Sequence, residues 1–142
     1  MAYVSRGFIP QTSLASNLGF TRPMYIPAGN ATATALYDIV KVSTSGSTVD
    51  TAGVPAGLMG CVRVSDKDDV PCGVIVGFIA DPDYLNQTYR SASTARVALV
   101  NYDPQVVLEA QEDGNGTTLA VARIGTPVDL VPGSIDTVTG TS

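Results

Sequence analysis

Gly73-Val-Ile-Val-Gly-Phe-Ile-Ala80 is a nearly continuous apolar run that Asp81-Pro82 cuts off, and Thr94-Ala-Arg-Val-Ala-Leu-Val-Asn-Tyr102 alternates until Asp103-Pro104 ends it. Both are rich in β-branched and aliphatic residues, both have strand length, and both are bounded by turn residues, which together set an all-β reading. The unbroken run suits a strand buried on both faces, the alternating one a strand buried on one. Asp103-Pro104 makes a short turn into Gln105-Val-Val-Leu-Glu-Ala-Gln111, so 94–111 reads as a hairpin.

The same pattern extends outward. Ala35-Leu-Tyr-Asp-Ile-Val-Lys-Val42 and Leu58-Met-Gly-Cys-Val-Arg-Val64 read as strands, separated by the polar loop Ser43–Thr48; Ser65-Asp-Lys-Asp-Asp69 ends the second. Downstream, Asp113-Gly-Asn-Gly116 is a strong turn signal because its residues tolerate positive φ. Thr117–Ile124, Pro127–Val131 and a weaker Ser134–Val138 follow as strands. Many short strands without a convincing helix imply a sandwich, jelly roll or small barrel, and the expected fold is a single-domain jelly-roll β-sandwich over 34–142. Residues 1–33 hold Pro10, Pro23 and Pro27 with no sustained period, so they read as an extended N-terminal arm. The aromatics Tyr3, Phe8, Phe20 and Tyr25 within it exceed what a disordered tail carries, so the arm is expected to order by packing on its own domain or on a neighbour.

Composition narrows function. Among 142 residues there is no His and no Trp, so imidazole-based nucleophilic sites and His-bound zinc are excluded. The net charge of −5 argues against duplex DNA or anionic lipid as a partner. No apolar run approaches the roughly 20 residues of a membrane span. The start, Met1-Ala-Tyr-Val-Ser-Arg, has no secretory pattern, so a reducing cytoplasm is the expected place of synthesis, with Cys61 and Cys72 as small buried hydrophobes rather than a disulfide. Charged residues are 15% of the chain, against about 25% in ordinary domains. Ser, Thr, Gly and Asn cover the surface instead, which suits burial against other protein.

Candidate sites are few. Glu109 and Glu112 are the only glutamates and sit at a strand end, poorly placed to face each other across a cleft as a hydrolytic pair. Asp66-Lys-Asp-Asp69 lacks the ligand alternation and central Gly of a calcium loop and reads as solvated. No phosphate-cradling glycine motif is present. Asn30, Asn86 and Asn115 head sequons that Thr-rich chains produce by chance. No catalytic residues, cofactor or metal are expected.

The unusual stretch is 77–96, which carries Asp81, Asp83, Tyr84, Tyr89, Arg90 and Arg96 between two apolar strands. Tyr and Arg are the residues most enriched at binding hot spots, so these six join the aromatics of the arm as interface candidates. Arg90 and Arg96 have a second reading, pairing with Asp81 or Asp83 to stiffen the loop.

Gly77-Phe78, Asp81-Pro-Asp83, Leu85-Asn-Gln-Thr-Tyr-Arg90, Ala92-Ser-Thr-Ala-Arg96, Asp103-Pro104 and Glu109-Ala-Gln-Glu-Asp113 resemble a family of tailed-bacteriophage structural proteins, and Met1–Phe8 fits the same group. The resemblance is densest over 73–113 and carries no catalytic signature. It implies a capsid cement, or decoration, protein of the virion, not an enzyme: a structural subunit assembled in the host cytoplasm that sits on the outer surface of an icosahedral head and clamps adjacent major capsid proteins. It also implies a homo-oligomer, a homodimer favoured, that links into a net over the shell without nucleic acid or membrane contact. The alternative from another class is a carbohydrate- or receptor-binding β-module displayed on the virion surface, for which Tyr84, Tyr89 and Tyr102 are the available aromatic set.

Overall fold

The apolar run at 73–80 becomes a strand whose two faces meet different neighbours. In a computed structural model, which describes residues 7–14, 20–47, 54–111, 120–130 and 132–142, the strands are β1 (Phe8–Ser13), β2 (Thr21–Ile26), β3 (Ile39–Ser43), β4 (Gly60–Arg63), β5 (Gly73–Phe78), β6 (Arg96–Asn101) and β7 (Val106–Ala110). A short 3-10 turn follows at Val121–Arg123. Five strands close into a barrel in the circular order β2-β4-β3-β5-β6, and β1 pairs with β7 in a separate two-stranded ribbon. The barrel is mixed: β2 and β4 run parallel at Tyr25 and Gly60, and the other pairs are antiparallel.

Every barrel strand sends a side chain into one interior cluster of Met24, Ile26, Val40, Cys61, Ile75, Ala98 and Val100. Because strand side chains alternate, the neighbours Ile39 and Val74 point outward, where with Val64 they form a second cluster. Phe8 of β1, Leu108 of β7 and Leu130 cover it, so the ribbon is an outer layer on the barrel wall. This double burial explains Val74-Ile75. The expectation of two buried faces fails further along, where Val76 is exposed beside an irregularity in the β5–β6 register between Ile75 and Gly77. At Gly73 a Cβ would overlap the Asn101 carbonyl, so the tight wall requires glycine there.

The all-β class matches the expectation; the arrangement is a five-stranded barrel with a ribbon where a jelly-roll sandwich was expected. The hairpin at 94–111 is absent. Strand β6 has both edges occupied, by β2 and β5, so β7 leaves the barrel and pairs with β1. Buried Asp103 makes that corner: it accepts a hydrogen bond from the Ser13 hydroxyl and another from the Gln105 amide at 2.9 Å. The strand at 35–42 shortens to β3 because Asp38 folds back to accept the Ala35 amide at 2.8 Å and Tyr37 takes a φ of 68°. Within 117–131 the described residues form the 3-10 turn and an unpaired segment interrupted by Gly125 and Pro127. Asp136 makes an isolated bridge to Thr141 in place of a strand at 134–138. The turn at 113–116 and Glu112 lie outside the described residues.

Residues 21–26 form a barrel strand with Met24 and Ile26 fully buried, where an arm was expected. Pro23 is accommodated because the Tyr25 amide points to the β4 side, bonding Met59 at 2.8 Å, and β4 does not extend past Tyr25 to meet Pro23.

Asp69 closes the loop after β4, its carboxylate accepting the Ser65 and Asp66 amides at 2.9 and 3.1 Å and the Lys41 ammonium at 2.6 Å. These bonds, the one to Lys41 foremost, hold its pKa far below the ordinary carboxylate value of 3.8. Its contribution to stability is therefore present at neutral pH and lost as pH falls below about 4 through the lower folded pKa. Asp69→Asn should be less stable than the parent at neutral pH, and urea midpoints should converge as the pH is lowered. A gap independent of pH would contradict this.

Both cysteines are free; Cys61 is buried, and burial pushes its thiol up to about 12. A thiol reagent should modify Cys61 only after unfolding, which mass spectrometry of native and denatured samples will read. Rapid native labelling at Cys61 would contradict a barrel interior containing it.

Candidate functional site

The loop joining β5 to β6 starts with a local turn. The Asp81 carboxylate accepts the Asp83 amide at 3.0 Å and its carbonyl accepts the Tyr84 amide at 3.1 Å, as expected for Asp before Pro in a turn. The loop then doubles back. Arg90 exchanges main-chain bonds with Thr34 at 2.9 and 2.7 Å, and the Ser93 amide reaches the Asn30 carbonyl at 2.9 Å.

Two arginines hold this path. Arg90 is fully buried, and its guanidinium donates to four main-chain carbonyls: Thr94 and Thr32 at 2.6 Å, Asn30 at 2.8 Å and Pro27 at 2.9 Å. A planar fork of five N–H groups is the side chain able to satisfy so many fixed acceptors. Arg96 is also buried; it lies 4.8 Å above the centre of the Phe78 ring and donates to the carbonyls of Gln87, at 3.0 Å, and Tyr89. Burial lowers the pKa of both, and the charge of Asp81 partly offsets this at Arg96. Arg90 and Arg96 thus correct their assignment as contact residues: they staple the loop from inside. Their partners are carbonyls rather than the carboxylates of Asp81 and Asp83.

With its underside fixed, the loop presents Asp83, Tyr84 and Leu85 to solvent, Tyr84 at 51% and Leu85 at 77% exposure. Asp81 and Tyr89 are half-buried. Leu85 was not singled out by the sequence reading; its apolar side chain in an otherwise polar loop was the available signal. Of the aromatics once placed in an arm, Phe8 covers the outer core, Tyr25 is half-buried in β2, and Tyr3 lies outside the described residues. Phe20 is exposed beside Tyr102, whose amide bonds its carbonyl at 2.7 Å.

The glycan-binding set is not assembled. Tyr84 and Tyr89 precede β6 and Tyr102 follows it, separated by a six-residue strand of about 20 Å. An open groove of ≈ 410 Å³ runs between the 27–32 turn and the β3–β4 wall, but its two basic residues are already paired, Lys41 with Asp69 and Arg63 with Asp38 at 2.8 Å. Glu109 accepts Gln11 at 2.7 Å on the exposed ribbon. Among the described residues no three of His, Cys, Asp and Glu gather as metal ligands. The loop between β5 and β6, held from beneath by Arg90 and Arg96, presents Tyr84 and Leu85 to solvent. Comparison with protein-family models, curated proteins and solved structures gave no match.

Proposed function

We propose that the chain is a virion structural protein, a capsid cement subunit that binds the outer surface of an icosahedral phage head and clamps adjacent major capsid proteins. The observation that carries this reading is the stapled loop: two buried arginines fix its backbone while Tyr84 and Leu85 stand in solvent. Ordering a loop before binding removes an entropic cost of association, and an exposed aromatic with an aliphatic neighbour fills a partner's recess. The resemblance over 73–113 supplies the identity of that partner.

The mechanism is mechanical. Pressure from a packaged genome pulls capsid subunits apart, and a protein spanning their junction adds its own binding free energy to the cost of separation. An interface of roughly 800 Å² per partner suffices, because many copies act together and links between copies, as dimers or a wider net, add avidity. The net charge of −5 favours the outer face over the nucleic-acid side. No catalytic step is assigned. Adding the purified chain to heads stripped of it should restore both occupancy and resistance to heat; heads that neither bind it nor gain heat resistance would remove the reading.

A further inference from the structure

The chain has eight basic residues, and the fold treats them unequally. Arg90 and Arg96 are buried on carbonyls. Lys41 in β3 and Arg63 at the end of β4 are fixed in the barrel wall and paired with Asp69 and Asp38. Arg22 lies in β2 and is followed by Pro23, whose ring nitrogen makes a poor scissile bond for a protease. Lys67 is exposed, but Asp66 and Asp68 flank it, and Asp69 closes its loop on the Ser65 and Asp66 amides. Arg6 lies outside the described residues.

Arg123 differs from all of these. Residues 120–129 are exposed at every position, Val121 at 83% and Ile124 at 81%. Among the described residues their main-chain bonds are local: the Arg123 amide to the Ala120 carbonyl at 2.8 Å, Ile124 to Val121 at 3.2 Å and Thr126 to Arg123 at 3.1 Å. A single 3-10 turn whose bonds all face water opens at small cost, and a protease needs its substrate opened into an extended strand.

The residues that follow are held firmly. Leu130 packs on the outer core cluster, and the Arg63 guanidinium donates to the Gly133 carbonyl. The Leu36 amide donates to the Gly140 carbonyl at 2.9 Å, and the Leu36 carbonyl accepts the Ser142 amide at 3.1 Å. Gly140 lies so close to Thr88 that a Cβ would overlap the threonine hydroxyl, and Ser142 is buried.

We propose that the Arg123–Ile124 bond is a processing site for a serine protease whose acidic pocket takes an arginine, and that the severed piece 124–142 stays docked on the barrel. The acidic flanks of Lys67 set like charge against such a pocket, which leaves Arg123 as the preferred site. The step is a hydrolysis: water adds, the peptide C–N bond breaks, Arg123 keeps a carboxylate and Ile124 an ammonium. Both new charges form in solvent, where neither is desolvated. This site is independent of the capsid reading.

The full native chain is treated briefly with trypsin, and the products are followed by intact mass and gel filtration. The first internal cut should fall after Arg123, about tenfold or more faster than a cut at Lys67, because cleavage follows the population of the open form. The two pieces should elute together in buffer and apart in urea. Arg123→Gln should slow loss of the native chain while leaving its melting temperature unchanged. A first cut at Lys67, a chain trimmed only at Arg6, or an Arg123→Gln chain digested as fast as the parent overturns the processing site. Elution of 124–142 apart from the body in buffer overturns its retention.

Discussion

Arg90→Ala should cost about 2 kcal/mol or more of folding stability. Four main-chain carbonyls lose the guanidinium; those of Pro27 and Asn30 keep the Asn30 and Ser93 amides, while those of Thr32 and Thr94 lose the donor that holds them, and each acceptor left unpaired costs on the order of 1–3 kcal/mol. Some of that returns if water enters the space, and removing a buried cation relieves its desolvation, so the low end of the range is the appropriate one. For a chain of this length the loss corresponds to a fall in melting temperature of roughly 7 °C. Arg90→Lys should recover little, because a single ammonium with three donors cannot span carbonyls from 27, 30, 32 and 94. Chemical denaturation of the two variants is the measurement. An alanine variant within about 0.5 kcal/mol of the parent would mean that the guanidinium is not holding these segments together.

Tyr84→Ala with Leu85→Ala should do the opposite, leaving the fold intact and removing association. Both side chains are mostly in solvent, so truncating them takes little from the core. If they are the anchors of the capsid contact, each truncation costs about 2 kcal/mol of binding, and together they weaken it by about a thousandfold. Occupancy on stripped heads, measured beside the melting temperature of the free chain, separates this from unfolding. Unchanged occupancy would take the loop out of the interface; lowered melting would show that Tyr84 or Leu85 supports the fold. The contrast with Arg90 matters, since both variants reduce assembly but only one does so through stability.

The all-β class was legible because Val, Ile and Phe runs bounded by Asp-Pro turns have one common outcome, a short strand. Which strands pair was not. Asp103-Pro104 announces a turn but does not say that both edges of β6 are filled by β2 and β5, strands drawn from far along the chain. Strand β2 was missed for a related reason: Pro23 argues against a strand until β4 is seen to stop short of it. In the loop between β5 and β6, Arg90 and Arg96 read from sequence as contact residues, and the structure buries both. A buried Arg and a contact Arg look alike when the partners are main-chain carbonyls, which leave no mark in residue identity; the carboxylates of Asp81 and Asp83 drew attention because they do. The exposed pair Tyr84-Leu85 becomes meaningful only once the stapling beneath it is known.

Composition also gains a more definite sense. Arg90 and Arg96 are buried on carbonyls and Asp38 and Asp103 are buried as well, so these withdrawals cancel and leave the net charge of −5 to the rest of the chain. Low charge and a negative balance suit the proposed burial against other protein and disfavour contact with packaged nucleic acid.

The central claim is membership of a phage shell, and the ratio of this chain to the major capsid protein tests it most directly. Quantitative mass spectrometry of purified mature particles should find the two in a fixed ratio from preparation to preparation, unchanged by washing that removes loosely bound protein. A chain absent from particles, or present in a ratio that drifts between preparations and falls on washing, would contradict the account.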